Sequence, residues 1–170
     1  MIKTIGCLLI LAASSFGGFA YADSFKKRVK QLNEVERAVN QLQNEIEYTY
    51  TPLPEALHNV SEKCEAPINE IFSKASQALY SNEVESVYDA FKKCLEDSNI
   101  SINKEDMNVI LDLSKSLGES DIEGHKKIFS LSKSNLKKRI SIAEESMNKN
   151  VKMYRYLGFS LGAMLVIVLI

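Results

Sequence analysis

The chain has no tryptophan, three prolines, seven glycines and two histidines in 170 residues. So few backbone breakers exclude a many-turned β fold, and the many Leu, Ile, Lys, Glu and Asn residues point to helix. Charge of one sign is missing too: 21 Lys and Arg stand against 22 Asp and Glu, a net of −1. A nucleic-acid binder normally carries a strong basic excess on one face, so that class is set aside. Three cysteines, at neither paired nor metal-binding spacing, exclude a disulfide-stapled scaffold. The length suits one ordinary domain.

What is present is unevenly placed. Residues 5–22 form an apolar block of eighteen residues without a charge, just long enough to cross a bilayer at ~1.5 Å per residue. Residues 156–170 form a second block of fifteen that ends the chain. It reaches only ~22 Å against a hydrocarbon core of ~30 Å. It spans if the bilayer thins locally, Met153 and Tyr154 join the stretch, and Arg155 snorkels to the interface. A buried core helix is the competing reading, weakened because these fifteen residues offer no polar face.

The first block also fits a secretory leader, with Lys3 ahead of it and Ala20-Tyr21-Ala22 as a cleavage signal. Against that, Lys26, Lys27, Arg28 and Lys30 follow at once, and Lys149, Lys152 and Arg155 precede the second block. Such flanks stay cytoplasmic under the positive-inside rule. The expectation is an N-terminal transmembrane helix over 1–22, a cytosolic helical-bundle domain over 23–155 and a C-terminal transmembrane helix over 156–170. Cys64 and Cys94 would then be reduced thiols. Export after cleavage at Ala22 is the alternative. Gly158 and Gly162 make a G-x-x-x-G, and Ala13 with Gly17 repeats the spacing. Such faces let membrane helices pack closely, although small residues are also simply common there.

Between the blocks the pattern is helical. Phe25, Val29, Leu32, Val35, Val39, Leu42 and Ile46 recur every three or four residues, predicting a long amphipathic helix. Pro52 and Pro54 end it, and Thr51 is expected to cap the next helix with Pro52 at its first position. Pro67 opens a third helix carrying Ile68, Ile71, Phe72, Ala75 and Leu79 inward. Ser81-Asn82 is a turn, and a fourth helix is expected from Val84. Asn103 reads as the N-cap of a fifth. Gly118 reads as its left-handed stop. Ser120-x-x-Glu123 reads as a capping box for a long last helix running unbroken into the second block. The expected fold is all-α, a six-helix bundle whose two long antiparallel helices continue into the membrane.

No catalytic constellation stands out. Glu55-x-x-His58 has di-iron spacing, but bundle di-iron sites need a second such motif and two more carboxylates. Cys64 and Cys94 suit small core residues better than nucleophiles. Neither a phosphate-cradling glycine loop nor a metal set is visible. Lys137-Lys138-Arg139 reads as a solvated helix face, or else one that meets lipid or a partner. The rigid corner Thr51-Pro52-Leu53-Pro54-Glu55 either presents a fixed shape to a partner or is a plain turn.

The stretch Glu45-Ile46-Glu47-Tyr48 followed by Thr51-Pro52-Leu53-Pro54-Glu55-Ala56-Leu57 resembles the signature of the stage III sporulation protein AB family. Leu117-Gly118-Glu119-Ser120-Asp121, the terminal Tyr156-Leu157-Gly158 through Ile170, and Ile5-Gly6 resemble it as well. The resemblance runs the length of the chain. It implies a part in a secretion-like machine between mother cell and forespore in endospore formation. It also implies likeness to the cytoplasmic helical domain of the platform proteins of type II secretion and type IV pilus systems.

The partners so implied are the AA-type ATPase of the same operon, other proteins of the channel complex and membrane lipid. No catalytic residue, cofactor, metal, nucleic acid or small-molecule substrate comes with the family. Thr51, Pro52, Leu53, Pro54 and Glu55, with Leu117, Gly118, Ser120 and Asp121, are then the expected partner-binding turns. Ala13, Gly17, Gly158 and Gly162 are the expected helix-packing residues. A two-span sensor or scaffold with an extracytoplasmic bundle is the reading from another class, and no signalling module follows the second span to favour it.

Overall fold

The computed structural model describes residues 2–119 and 122–169, excepting the side chains of 2–5, 7, 8, 10, 11, 15, 119, 122, 123, 168 and 169. The described residues form helices and no strands. They run α1 (Ile2–Glu47), α2 (Leu53–Lys63), α3 (Ile68–Tyr80), α4 (Val87–Glu96), α5 (Lys104–Glu119) and α6 (Ile122–Leu169). The all-α six-helix expectation holds. The chain divides into two compact units, a helix pair from residues 1–29 and 142–170 and a six-helix domain from residues 30–141.

In the six-helix domain, Leu32, Val35, Val39 and Leu42 of α1 are fully buried, as the three-and-four spacing predicts. Buried with them are Leu57 and Val60 of α2, Phe72 of α3, Phe91 of α4, Ile110 and Leu113 of α5, and Phe129 and Leu136 of α6. Each such side chain contributes roughly 1.5–3 kcal/mol through removal from water. Phe72 and Phe91 pack edge to face at 5.2 Å, joining α3 to α4.

Helix ends follow local chemistry, with three departures from expectation. Thr51 is not the cap of α2. The N-cap is Pro52, in extended geometry, whose carbonyl accepts from Ala56 N at 2.8 Å. α4 begins at Val87 rather than Val84, because the Ser86 hydroxyl accepts from Asp89 N at 3.1 Å and donates to the Asp89 carboxylate at 2.6 Å. Gly118 is not a left-handed stop. It lies inside α5, and no described glycine has positive φ. Asn103 caps α5 as expected: its Oδ1 accepts from Asp106 N at 2.9 Å, while Asp106 Oδ2 accepts from Asn103 N at 3.0 Å. Asn82 supplies the turn after α3 at φ 53. The capping residue expected for α6, Ser120, lies outside the described residues.

In the helix pair, α1 and α6 run antiparallel. The Ser14 hydroxyl donates to the Gly158 carbonyl, Tyr21 packs edge to face on Tyr154 at 4.6 Å, and Phe25 stacks on Tyr154 at 5.9 Å. Much of the pair's apolar surface is uncovered: Leu9, Phe16, Phe19, Phe159, Leu161, Met164, Leu165 and Ile167 are exposed. Among the described residues no helix is long and apolar enough to cross a membrane. The two terminal spans therefore remain expectations drawn from the sequence.

Candidate partner-binding surfaces

The corner after α1 is built around one carboxylate. Glu45 Oε2 accepts from the Thr51 hydroxyl at 3.2 Å and from Asn59 Nδ2 at 3.1 Å, and Lys63 Nζ reaches Glu45 Oε1 at 3.0 Å. The Lys63 ammonium, with help from Asn59 and Thr51, holds the Glu45 carboxyl below its ordinary range. Thr51 N donates to Glu45 O at 3.0 Å, closing the chain exit from α1. Thr51 thus ties the corner to α1 instead of capping α2. From the other side Ser76 Oγ donates to Pro54 O at 2.7 Å, fixing the corner to α3. Leu53 and Pro54 are half-buried, while Pro52 and Glu55 face solvent.

Tyr48, quoted only within the family signature, and Tyr50, which sequence reasoning did not single out, stand 74% and 71% exposed beside this corner. Tyr50 has φ 53, a left-handed geometry that a bulky residue rarely holds. The signal was available: two tyrosines between a helix end and a proline have no core to enter.

The second expected surface divides. Leu117 is buried at 6% exposure, so it serves the core. Gly118 is exposed on the rim of an open groove of about 650 Å³ that Val87, Tyr88, Asp112 and Lys115 also line. Ser120 and Asp121 lie outside the described residues.

The Thr51–Glu55 corner and the C-terminal end of α5 share one end of the six-helix domain. Ser101 N donates to Gln31 Oε1 at 2.7 Å, placing the start of α5 beside residue 31 of α1. The helices then run the same way and end at Glu47 and Glu119. α6 runs back against both: Lys133 Nζ donates to Gln43 Oε1 at 2.7 Å, and Arg139 Nε to Asp106 Oδ1 at 2.7 Å.

Of the expected helix-packing residues, Gly158 and Gly162 are buried, whereas Ala13 and Gly17 are exposed. The small row on α1 is offset by one residue. A Cβ on Gly158 would lie 2.9 Å from Gly18 Cα and 3.0 Å from Ser14 O, while one on Gly17 would meet nothing within 4 Å. Ser14-x-x-x-Gly18 has the same spacing as Ala13-x-x-x-Gly17, so spacing could not separate them.

Catalytic chemistry gains no support. Among the described residues no group of three or more His, Cys, Asp or Glu could hold a metal. Burial pushes the Cys64 thiol up to about 11, with Glu34 adding to it, and burial also raises Cys94. Neither has the lowered pKa of a reactive thiol. Glu55 and His58 are exposed, and His58 Nε2 lies 3.8 Å from Glu62 Oε1.

Comparison with known proteins agrees across the chain. The family model described as Stage III sporulation protein AB matches residues 3–170. The stage III sporulation protein AB of Bacillus subtilis (strain 168) is 27% identical over 175 residues, covering 99% of each protein. A solved structure of a stage III sporulation protein AB superposes with a TM-score of 0.65 over 72% of this chain and 97% of that one. At 24% identity it speaks to the fold alone.

Proposed function

The chain belongs to the stage III sporulation protein AB family and so has its role in sporulation, and from this premise we propose that it is a non-enzymatic adaptor. It couples the AA-type ATPase to the membrane complex of a secretion-like channel between mother cell and forespore. The observation that carries this reading is that the Thr51–Glu55 corner and the C-terminal end of α5 lie at one end of the six-helix domain, with Tyr48, Tyr50, Pro52 and Glu55 exposed there. Coupling of that kind needs a stiff scaffold with an exposed contact surface and no catalytic group.

Membrane attachment belongs to the same proposal. Its support is the uncharged character of 5–22 and 156–170 together with the exposed apolar side chains of the helix pair. Cleavage at Ala22, the alternative, would remove Ala22, which is 1% exposed, and the Tyr21 ring that packs edge to face on Tyr154. A cytosolic six-helix domain follows from the basic flanks.

Tyr50→Ala and Glu55→Lys test the reading by co-purification with the AA-type ATPase. Recovery of the ATPase should drop about tenfold or more, as for an exposed hot spot. Unchanged recovery with either variant, at an unchanged melting temperature, would remove the corner from the interface.

A further inference from the structure

We propose that Phe19, Lys152, Arg155, Tyr156 and Phe159 form a binding site for the headgroup of an anionic phospholipid. This rests on the membrane attachment argued above and adds a lipid class to it. On α6 the four residues 152, 155, 156 and 159 share one face, and Phe19 of α1 completes an open hollow of about 570 Å³.

The hollow holds two cations, Lys152 and Arg155. Arg155 lies with its guanidinium carbon 5.1 Å from the centre of the Phe19 ring. A stacked guanidinium keeps its edge N–H groups free to donate to a phosphate. Among the described residues neither Arg155 nor Lys152 has a carboxylate partner, whereas Lys27 of the same pair is matched by Asp23 at 3.4 Å.

The residues also sit where the pair changes character. Toward the chain ends lie exposed Leu157, Phe159, Leu161 and Leu165, and on the other side lie Lys149 and Lys152. Aromatic rings at such a boundary occupy the headgroup layer, where cations meet lipid phosphates. A net-negative headgroup matches two unpaired cations, while a zwitterionic one brings its own positive charge into the hollow.

The test uses the purified full chain in detergent, titrated with phosphatidylglycerol, phosphatidylcholine or inorganic phosphate, and floated with vesicles of each lipid. Phosphatidylglycerol should raise the melting temperature where the other two do not. Lys152→Gln with Arg155→Gln should weaken that response about tenfold while the variant still floats. Lys26→Gln with Lys27→Gln, which removes equal charge elsewhere, should keep it. An equal response to phosphatidylcholine, or to inorganic phosphate, would overturn the headgroup site, as would equal losses in the two double variants. Failure of the wild-type chain to float with either vesicle would instead remove membrane attachment and the site with it.

Discussion

Arg139 on α6 reaches the carboxylate of Asp106 on α5, Nε to Oδ1 at 2.7 Å, and Asp106 is 0% exposed. The same carboxylate accepts from Asn103 N, and Arg139 also pairs with Glu105 at 2.6 Å. One buried group therefore caps α5 and ties it to α6. Asp106→Ala would remove the buried acceptor of Arg139 Nε and Asn103 N, leaving the guanidinium to Glu105 and to Asn103 Oδ1. It should destabilise the protein by about 2–3 kcal/mol, seen as a fall of roughly 5–10 °C in melting temperature. Asp106→Asn, which keeps an acceptor, should cost less. A loss under 1 °C for the alanine variant would contradict this role.

Gly158→Ile should force α1 from α6 in the helix pair, since the Gly18 backbone lies against it. Cysteines placed at Tyr21 and Tyr154, in a background lacking the native cysteines, should then cross-link several-fold less with a short bis-maleimide. Gly17→Ile should leave the yield unchanged. The opposite ranking would restore the Ala13 and Gly17 face.

Gly118→Ala should stabilise the protein by roughly 0.5–1 kcal/mol. Its added carbon would meet Val87 Cγ2 at an ordinary 3.9 Å, and its backbone is already helical. Urea unfolding measures this, and a destabilised variant would point back to a left-handed backbone at 118.

The Glu45 carboxyl titrates below its unfolded value because Lys63 and Asn59 hold the charged form. Its stabilisation is fully present above the unfolded carboxylate pKa of about 4.3 and is lost as pH falls through the lower folded value. Melting temperature should drop on acidification from about pH 5 to below pH 4, and Glu45→Gln should flatten that part of the profile.

Cys64, with its thiol pushed up to about 11, should react slowly with maleimide at neutral pH. Its thiolate is about a hundredfold scarcer than at pKa 9, and the greater nucleophilicity of a more basic thiolate recovers about tenfold of that. Labelling at Cys64 should be at least about tenfold slower than in urea. A topology assay is therefore better placed on a cysteine introduced at exposed Ser134.

Sequence patterning foretold the six helices because the apolar spacing and the breakers Pro52, Pro54 and Pro67 act locally. It misplaced what depends on a distant partner. Thr51 has the chemistry of a cap, but the Glu45 carboxylate, six residues back, claims its hydroxyl. Gly118 has the chemistry of a helix stop, yet α5 continues through it. The choice between Gly17 and Gly18 is a matter of which row faces α6, and that is set by packing. Tyr50 stands out only once its backbone geometry is seen.

Ser14, Gly18 and Ala22 form one smooth row on α1, and Gly158 and Gly162 form another on α6. Sliding one helix by a single residue would drive a side chain into a backbone. The register of the pair is thus set by backbone lying against backbone, which leaves no play for side chains to absorb.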